Sequence, residues 1–448
     1  MLDPGDTVRH KVWGKGKILA TRYKGHEVFV QFDNGAITWA KSAECVPEDG
    51  LPENGEIQIP PSDEEEEHIE VEWTDEDERK LLHLQALEAF KLGIVPPYVK
   101  RFIFGREAHI DFFENWFEND NDNHVLIFGK YGAGKTHFLN YLKEMAEERN
   151  FAVSFCSIDP TEAPLHKPKY VYNQIVRNFT YHNGKNFDDF IDEIRKNKKY
   201  IKIDRRNPFV RQIFYRHDDE ELFRRWIRGD EIAKTYFSYQ TLQNFSTSAN
   251  IFCNLLSFYS YCAKEILGLN GLILLLDEAE SIEMPAYPYQ RRGQVNFFKG
   301  IRMTAERHSD LFTEKVKSYS PKTGYKTELI YNGHTPIPFI YNDQTALKIV
   351  LAFTPGVNIM NLCSDAEYKQ FIELDELDNK DKKDAIEAIV EVYQTSYDLE
   401  ITQDTLKLIQ KKILDNNDLN IRGIVKYTIE CLDVLRHYDR FVLENSFP

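Results

Sequence analysis

Three short segments carry residue types at spacings that could do chemistry. The first runs Gly129-Lys130-Tyr131-Gly132-Ala133-Gly134-Lys135-Thr136, a G-x-x-x-x-G-K-T pattern between an apolar run, His124 to Phe128, and a helical stretch, His137 to Met145. Glycines at 129, 132 and 134 let backbone wrap a phosphate, because a Cβ there would collide or forbid the needed dihedrals. The helix N-terminus adds unpaired N–H groups and the positive end of its dipole. In that frame Lys135 reaches the β- and γ-phosphates of ATP and the Thr136 hydroxyl ligates Mg²⁺. The whole run from Gly129 to His137 is assigned to nucleotide binding.

The second segment is Leu272 to Leu276 followed by Asp277 and Glu278. Five apolar residues predict a buried strand, whose C-terminal edge is where open α/β sheets keep their ligands. Asp277 is placed to hold Mg²⁺ and Glu278 to take a proton from the attacking water. The acid pair favours hydrolysis over binding alone. A third apolar run, Ala346 to Phe353, ends in Thr354, whose hydroxyl is suited to sensing the γ-phosphate. Lys135, Glu278 and Thr354 are thus the expected catalytic residues, and Thr136 and Asp277 the expected metal ligands.

These segments need a scaffold. The chain has 448 residues, so two or three domains are expected. Hydrophobic residues at 42% and aromatics at 13% supply real cores and exclude disorder throughout. From about residue 100 to 355, strand-like runs alternate with helical stretches, which predicts a parallel α/β sheet. After Asp365 only helical periodicity remains, over 381–397, 402–416 and 421–437, which predicts a helical lid. Upstream, Leu81, Leu84, Leu87 and Leu92 are expected to share one helix face behind a Thr74 cap. Residues 1–50 show turn signals between short β-rich runs (7–10, 17–23, 27–32 and 36–40), which suits a small SH3-like barrel containing Trp13 and Trp39. The expected division is a barrel at 1–50, a linker at 51–73, a P-loop core with a helical insert at 74–355 and a lid at 356–448.

Charge and cysteines bound the setting. Net charge is −16, but Asp63 to Glu78 alone holds 11 acidic residues and no Lys or Arg, so most of the excess is one solvated linker. Net charge therefore does not exclude DNA as a partner. Six scattered cysteines with no C-x-x-C pair argue against a disulfide framework or zinc cluster. No run reaches the length of a membrane span, and Asp3 and Asp6 argue against a signal peptide. A cytoplasmic protein without a membrane partner is expected.

Two resemblances extend this reading. V-R-H-x-x-W-G-x-G-x-I-L followed by V-x-V-x-F-D-N-G resembles the Tudor-like modules of CarD-type transcription factors, which implies binding of RNA polymerase or another protein. The pieces A-L-E-A-F-K-L-G-I-V-P (86–96), K-Y-G-A-G-K-T-H-F-L (130–139), R-W-I-R-G-D-E-I (225–232) and L-G-L-N-G-L-I-L-L-L-D-E-A-E (267–280) resemble, in order and spacing, the BREX-type ATP-binding proteins of bacterial anti-phage systems, particularly BrxD. That resemblance implies an ATPase working on DNA with other defence proteins. Phe104-Gly105-Arg106-Glu107 resembles the G-R-E entry motif of initiator-type AAA+ and STAND ATPases, which puts Arg106 near the adenine. Arg422 sits where such proteins carry the second sensor arginine of the lid.

One departure bears on mechanism. No arginine occurs between Arg307 and Arg422, so the usual finger after the sensor strand is absent. Arg291, Arg292, Arg302 and Arg307 are the substitutes on offer, with Arg302 and Arg307 the expected donors in a homo-oligomer. The isolated chain is then expected to turn over slowly until assembly, DNA or a partner supplies a cation. The Lys-rich stretch Glu314 to His334, interleaved with tyrosines, reads as an insert suited to nucleic acid or as a solvated hairpin. Readings as an initiator-type loader on DNA, or as a scaffold that nucleotide merely stabilises, stay open. The phosphate loop gives the first test. Lys135→Ala should weaken ATP binding by roughly 10²-fold or more, since no other cation is positioned by the loop to offset the β/γ-phosphate charge. Titration with a fluorescent ATP analogue checks this, and wild-type affinity would remove the site assignment.

Overall fold

The computed structural model describes residues 6–10, 14–22, 27–33, 37–41, 45–47, 75–120, 122–201, 207–215, 219–232, 242, 249–280, 287–309, 311, 344–356, 370–415 and 419–438. The acidic linker, Trp13, the Thr74 cap and the Lys-rich insert lie outside these residues, as do the side chains of Trp39, Arg291 and Arg292. The chain divides into two compact units, Met1–Glu72 and Trp73–Pro448.

In the first unit, residue alternation between turns produces β1 (Thr7–His10), β2 (Gly14–Arg22), β3 (Glu27–Phe32), β4 (Ile37–Lys41) and β5 (Cys45–Pro47). They form an antiparallel sheet in the order β4-β3-β2-β1-β5. Val8, Ile18, Val28, Val30, Phe32 and Cys45 bury one cluster, the period-two residues of a one-sided sheet. A small SH3-like barrel is the sequence expectation; among the described residues the strands form one five-stranded antiparallel sheet in which β5 pairs with β1.

The second unit holds the chemistry. It begins with α1 (Asp75–Leu92), a short 3₁₀ turn (Val99–Phe102) and α2 (Glu107–Glu118). Then come β6 (His124–Phe128), α3 (Lys135–Glu148) and β7 (Ala152–Ser157). The helical insert follows as α4 (Pro168–Arg177), the small strands β8 (Phe179–Tyr181) and β9 (Lys185–Asn186), α5 (Phe187–Lys196), α6 (Pro208–Ile213), α7 (Glu220–Ile227) and α8 (Ala249–Glu265). Next are β10 (Leu272–Asp277), α9 (Pro288–Ala305), β11 (Leu347–Phe353) and β12 (Phe371–Glu373). The lid is α10 (Asn379–Tyr397), α11 (Gln403–Leu414) and α12 (Ile421–His437).

The strands make one sheet in the order β12-β6-β11-β10-β7-β8-β9. The five strands from β12 to β7 are parallel, as the alternating pattern predicts. β8 and β9 run antiparallel, a departure made by the tight turn at His182, Asn183 and Gly184, all at positive φ. Successive side chains bury on opposite faces. Val125, Ile127, Ile273, Leu275, Val350 and Ala352 pack under α2 and α3. Leu126, Leu272, Leu274, Leu276, Ile349 and Leu351 pack against the insert helices and α9. A strand covered on both faces has to be apolar throughout, which is why β10 reads as an unbroken aliphatic run.

The leucine stripe expected on α1 is not its buried face. Leu81 and Leu92 are exposed, while Ala86, Leu87 and Phe90 pack with Phe102 and the lid residues Ile386, Ile389, Tyr393 and Ile424. Steps of three from Leu81 to Leu87 drift around a 3.6-residue helix and Leu92 lies off their line, whereas 83, 86/87 and 90 stay together. α1 therefore packs with the lid helices.

Entry into the central strand is tight. Gly271 has φ +136, and a Cβ there would lie 2.2 Å from the Ala346 carbonyl oxygen. That carbonyl accepts the Leu272 N–H at 2.9 Å, so it starts the β10–β11 ladder. Gly271→Ala should cost on the order of 3 kcal/mol through strain and displaced pairing. Urea unfolding would show it as a lowered midpoint at unchanged slope.

Candidate functional site

The strand order brings the three chemical segments to one edge. β11 lies between β6 and β10, so the loop after β6, Thr354 after β11 and Asp277 at the end of β10 emerge side by side. They line a cavity of about 440 Å³. Its polar floor is the loop from Tyr131 to Thr136 with Asp277, Glu278, Glu280 and Thr354, and its apolar wall includes Phe90, Phe102, Phe104, Ile389 and Val425.

The loop has the conformation its glycines allow. Gly132 and Gly134 sit at φ +81 and +89, and a Cβ on Gly132 would meet the Asn420 side chain at 2.3 Å. Asn420 caps α12 by accepting the Gly423 N–H, so the loop backbone runs directly against the first turn of a lid helix. Gly134 opens α3, and Lys135 is the first residue of that helix.

Lys135 is buried. Its Nζ donates to the carbonyl oxygens of Gly129 at 2.9 Å and Lys130 at 3.4 Å, and to Thr354 Oγ1 at 3.0 Å. Burial holds the ammonium pKa below the usual lysine value, with Glu280, Asp277 and Glu278 opposing that shift. Thr136 Oγ1 donates to Asp277 Oδ2 at 2.6 Å. Asp277 is 3% exposed, and burial raises its carboxyl pKa. Glu278 turns out of the strand at φ +55, a left-handed conformation uncommon outside glycine, with its N–H donating to Asp277 Oδ1. Ser157 Oγ at the end of β7 donates to Glu278 Oε2 at 3.3 Å. Desolvation first, then the Asp277 charge, raises the Glu278 pKa above the usual glutamate value.

The arginines are ties. Arg106 is buried and donates to the carbonyls of Ala133 at 3.1 Å and Asp375 at 2.8 Å, clamping the loop to the segment after β12. Arg422 lines the cavity and donates to Tyr131 Oη at 2.9 Å and to the Gly93 carbonyl at 2.6 Å. Lys130 turns to Glu376 at 3.0 Å on the outside of the loop.

Arg302 and Arg307 do not fit the role of trans donors. Arg302 is 4% exposed and paired with Glu306 on its own helix at 3.0 Å. Arg307 Nε donates to the Thr345 carbonyl, just before β11. Both lie where strands begin, at the edge opposite the phosphate loop, because α9 runs back down the sheet; Ala305 accepts from Asn123 just before β6. Two site residues escaped the sequence reading. Glu280 follows Glu278 in D-E-A-E and could have been noticed there. Ser157 carries no local signal, since only strand pairing puts it beside Glu278.

Comparison with known proteins finds similarity over part of the chain. Residues 79–198 match the family described as BREX system ATP-binding protein BrxC/D. That stretch holds the phosphate loop, and over it the chain is similar to BREX-type ATP-binding proteins. Solved structures with similarity include a DNA replication initiation factor, 15% identical over 79% of this chain and 68% of that one, with a TM-score of 0.36. AMPPCP-bound DnaA from Aquifex aeolicus is 15% identical over 78% and 67%, TM-score 0.35. The HORMA:CdnC:Trip13 complex of E. coli MS115-1 is 10% identical over 84% and 92%, TM-score 0.34. No curated protein matches the chain.

His137, the second residue after Lys135, shows how the helix start is held. Its Nε2 is shut off from solvent, and burial pushes its pKa from 6.5 down to about 4, with the backbone of Phe102 and Val99 offsetting part. The ring is neutral in the fold, whereas the unfolded chain takes up a proton below 6.5. Its contribution is therefore full above pH 6.5 and is lost as pH falls toward 4. The stability difference between the wild type and His137→Gln should shrink by roughly 3 kcal/mol across that window. Denaturant unfolding at stepped pH measures it, and a flat difference would mean the ring is charged in the fold.

Proposed function

We propose that the chain is an ATP-hydrolysing switch of AAA+ type, with a nucleotide-responsive lid, acting with partner proteins and DNA in a BREX-type anti-phage defence system. The observation that carries this is the hydrogen bond from Thr136 to Asp277. It joins the phosphate loop to the acid-bearing strand across an intervening strand that delivers Thr354 to Lys135.

The residues divide the work. Backbone N–H groups of Gly132 to Thr136 face the phosphates, and the Lys135 ammonium exchanges a loop carbonyl for a phosphate oxygen. The apolar wall of Phe90, Phe102 and Phe104 suits the base. The paired oxygens of Thr136 and Asp277 fit Mg²⁺. When bound there with the nucleotide, such an ion would neutralise phosphate charge. Glu278, held by Ser157, accepts a proton from water as that water's oxygen attacks the γ-phosphorus. The bond from phosphorus to the β–γ bridging oxygen breaks, leaving ADP and phosphate. The raised pKa of Glu278 makes it a better proton acceptor than an ordinary surface glutamate.

The N-terminal sheet is read as a Tudor-like adaptor for RNA polymerase or another protein. Homo-oligomerisation is part of the reading, with a cation supplied from outside the described residues. Among the described residues no helix is long and apolar enough to cross a membrane; the cytoplasmic setting rests on the sequence reading. Glu278→Gln should bind ATP near wild-type affinity and lose about 10²–10⁴ in turnover, because an amide keeps the shape but takes no proton. A phosphate-release assay beside a binding titration tests this, and unchanged turnover would move the base elsewhere.

A further inference from the structure

The hydroxyl of Thr354 has one proton, and its two neighbours compete for roles. Lys135 Nζ, at 3.0 Å, is an ammonium and can only donate, so it takes an Oγ1 lone pair. Glu280 Oε1, at 2.7 Å, is a carboxylate oxygen and can only accept, so it takes the proton. The arrangement has one consistent assignment, with Thr354 donating to Glu280 and accepting from Lys135. The proton that would report a γ-phosphate is already committed.

Glu280 has reason to keep it. Its other oxygen, Oε2, is buried and has no hydrogen-bond partner among the described residues. If Thr354 turned its proton toward a phosphate, Oε1 would lose its donor as well, and neither oxygen of this carboxylate would have one among the described residues, the arrangement proteins avoid. Of the three acceptors around Lys135, two are carbonyls of the phosphate loop itself. Thr354 is the acceptor from another strand, so it sets where the ammonium points relative to the sheet.

We infer that Glu280 and Thr354 are a positioning pair for Lys135: Glu280 orients the hydroxyl so that its lone pair holds the ammonium at the phosphates, and Thr354 does not read the third phosphate. This rests on the cavity being the nucleotide site and differs from the sensor role expected for Thr354. Lys135 reaches the β-phosphate that ADP and ATP share, so loss of its positioning falls on both ligands, whereas loss of a γ-phosphate sensor falls on ATP alone.

The test is affinity for ADP and for a non-hydrolysable ATP analogue, by calorimetry on the full chain, for Thr354→Val, Thr354→Ser, Glu280→Ala and Glu280→Gln. Thr354→Val should weaken ADP as well as the ATP analogue, by roughly tenfold for ADP. Thr354→Ser, which restores the hydroxyl, should recover most of that loss. Glu280→Ala should weaken both ligands by less, and Glu280→Gln, which keeps an acceptor oxygen, should recover it. A loss confined to the ATP analogue, or none for either ligand, overturns the positioning role. Should Thr354→Val fail to fold by thermal melting, the Glu280 variants decide by the same criterion. Lys135→Ala run alongside separates the two claims. Wild-type affinity in that variant removes the nucleotide site itself, whereas lost affinity with an ATP-only effect at Thr354 removes only this pair.

Discussion

A buried ammonium is the constraint around which the site is organised. Lys135 cannot leave water without oxygen partners, and in the ligand-free molecule it finds them in two loop carbonyls and one hydroxyl. Each partner imposes something on the fold. The carbonyls require the loop to curl back over the side chain, which places Gly132 and Gly134 in left-handed conformations. The hydroxyl requires β11 to lie beside β6 with Phe353 opposite Phe128. That placement leaves β10 one strand further out, with Asp277 within reach of Thr136. Chemistry and sheet order are thus one problem with one solution.

The charges around that ammonium are unbalanced. Asp277, Glu278 and Glu280 all act on Lys135, while the two arginines lining the cavity are spent on carbonyl oxygens and a phenol. Arg106 ties the loop to the segment after β12, and Arg422 ties it to the turn after α1. The loop is consequently held from three sides by α12, the turn at Gly93 and the segment leading into α10. The turn at Gly93 follows α1, whose Ala86, Leu87 and Phe90 pack in one cluster with the lid helices.

Local sequence foretold the parts whose physics is local. The glycine loop, the five-residue aliphatic strand and the lid helices follow from spacing alone, and their bounds fall within a few residues of the observed elements. Pairing was not local. Ser157 lies beside Glu278 only because β7 pairs with β10 in register, and the antiparallel β8–β9 ribbon reflects a three-residue turn inside a helical insert. The α1 face departs from the leucine stripe because leucine count is no substitute for angle; Ala86, Leu87 and Phe90 pack with the lid residues. Arg302 looked available because it leaves the acid-bearing strand on a helix, yet that helix carries it to the opposite edge and buries it against Glu306. Lys348 is a comparable surprise, a lysine inside a strand, held over the Trp116 ring at 4.6 Å and donating to the Trp116 carbonyl.

The seven-stranded sheet ends in two very short strands, Phe371–Glu373 on one side and Lys185–Asn186 on the other. A bordering strand of two or three residues offers few free backbone groups, too few to template an incoming extended segment. The central aliphatic strands, which would be hazardous at a margin, are interior to the sheet. Among the described residues, β-addition at the two margins of this sheet is therefore disfavoured.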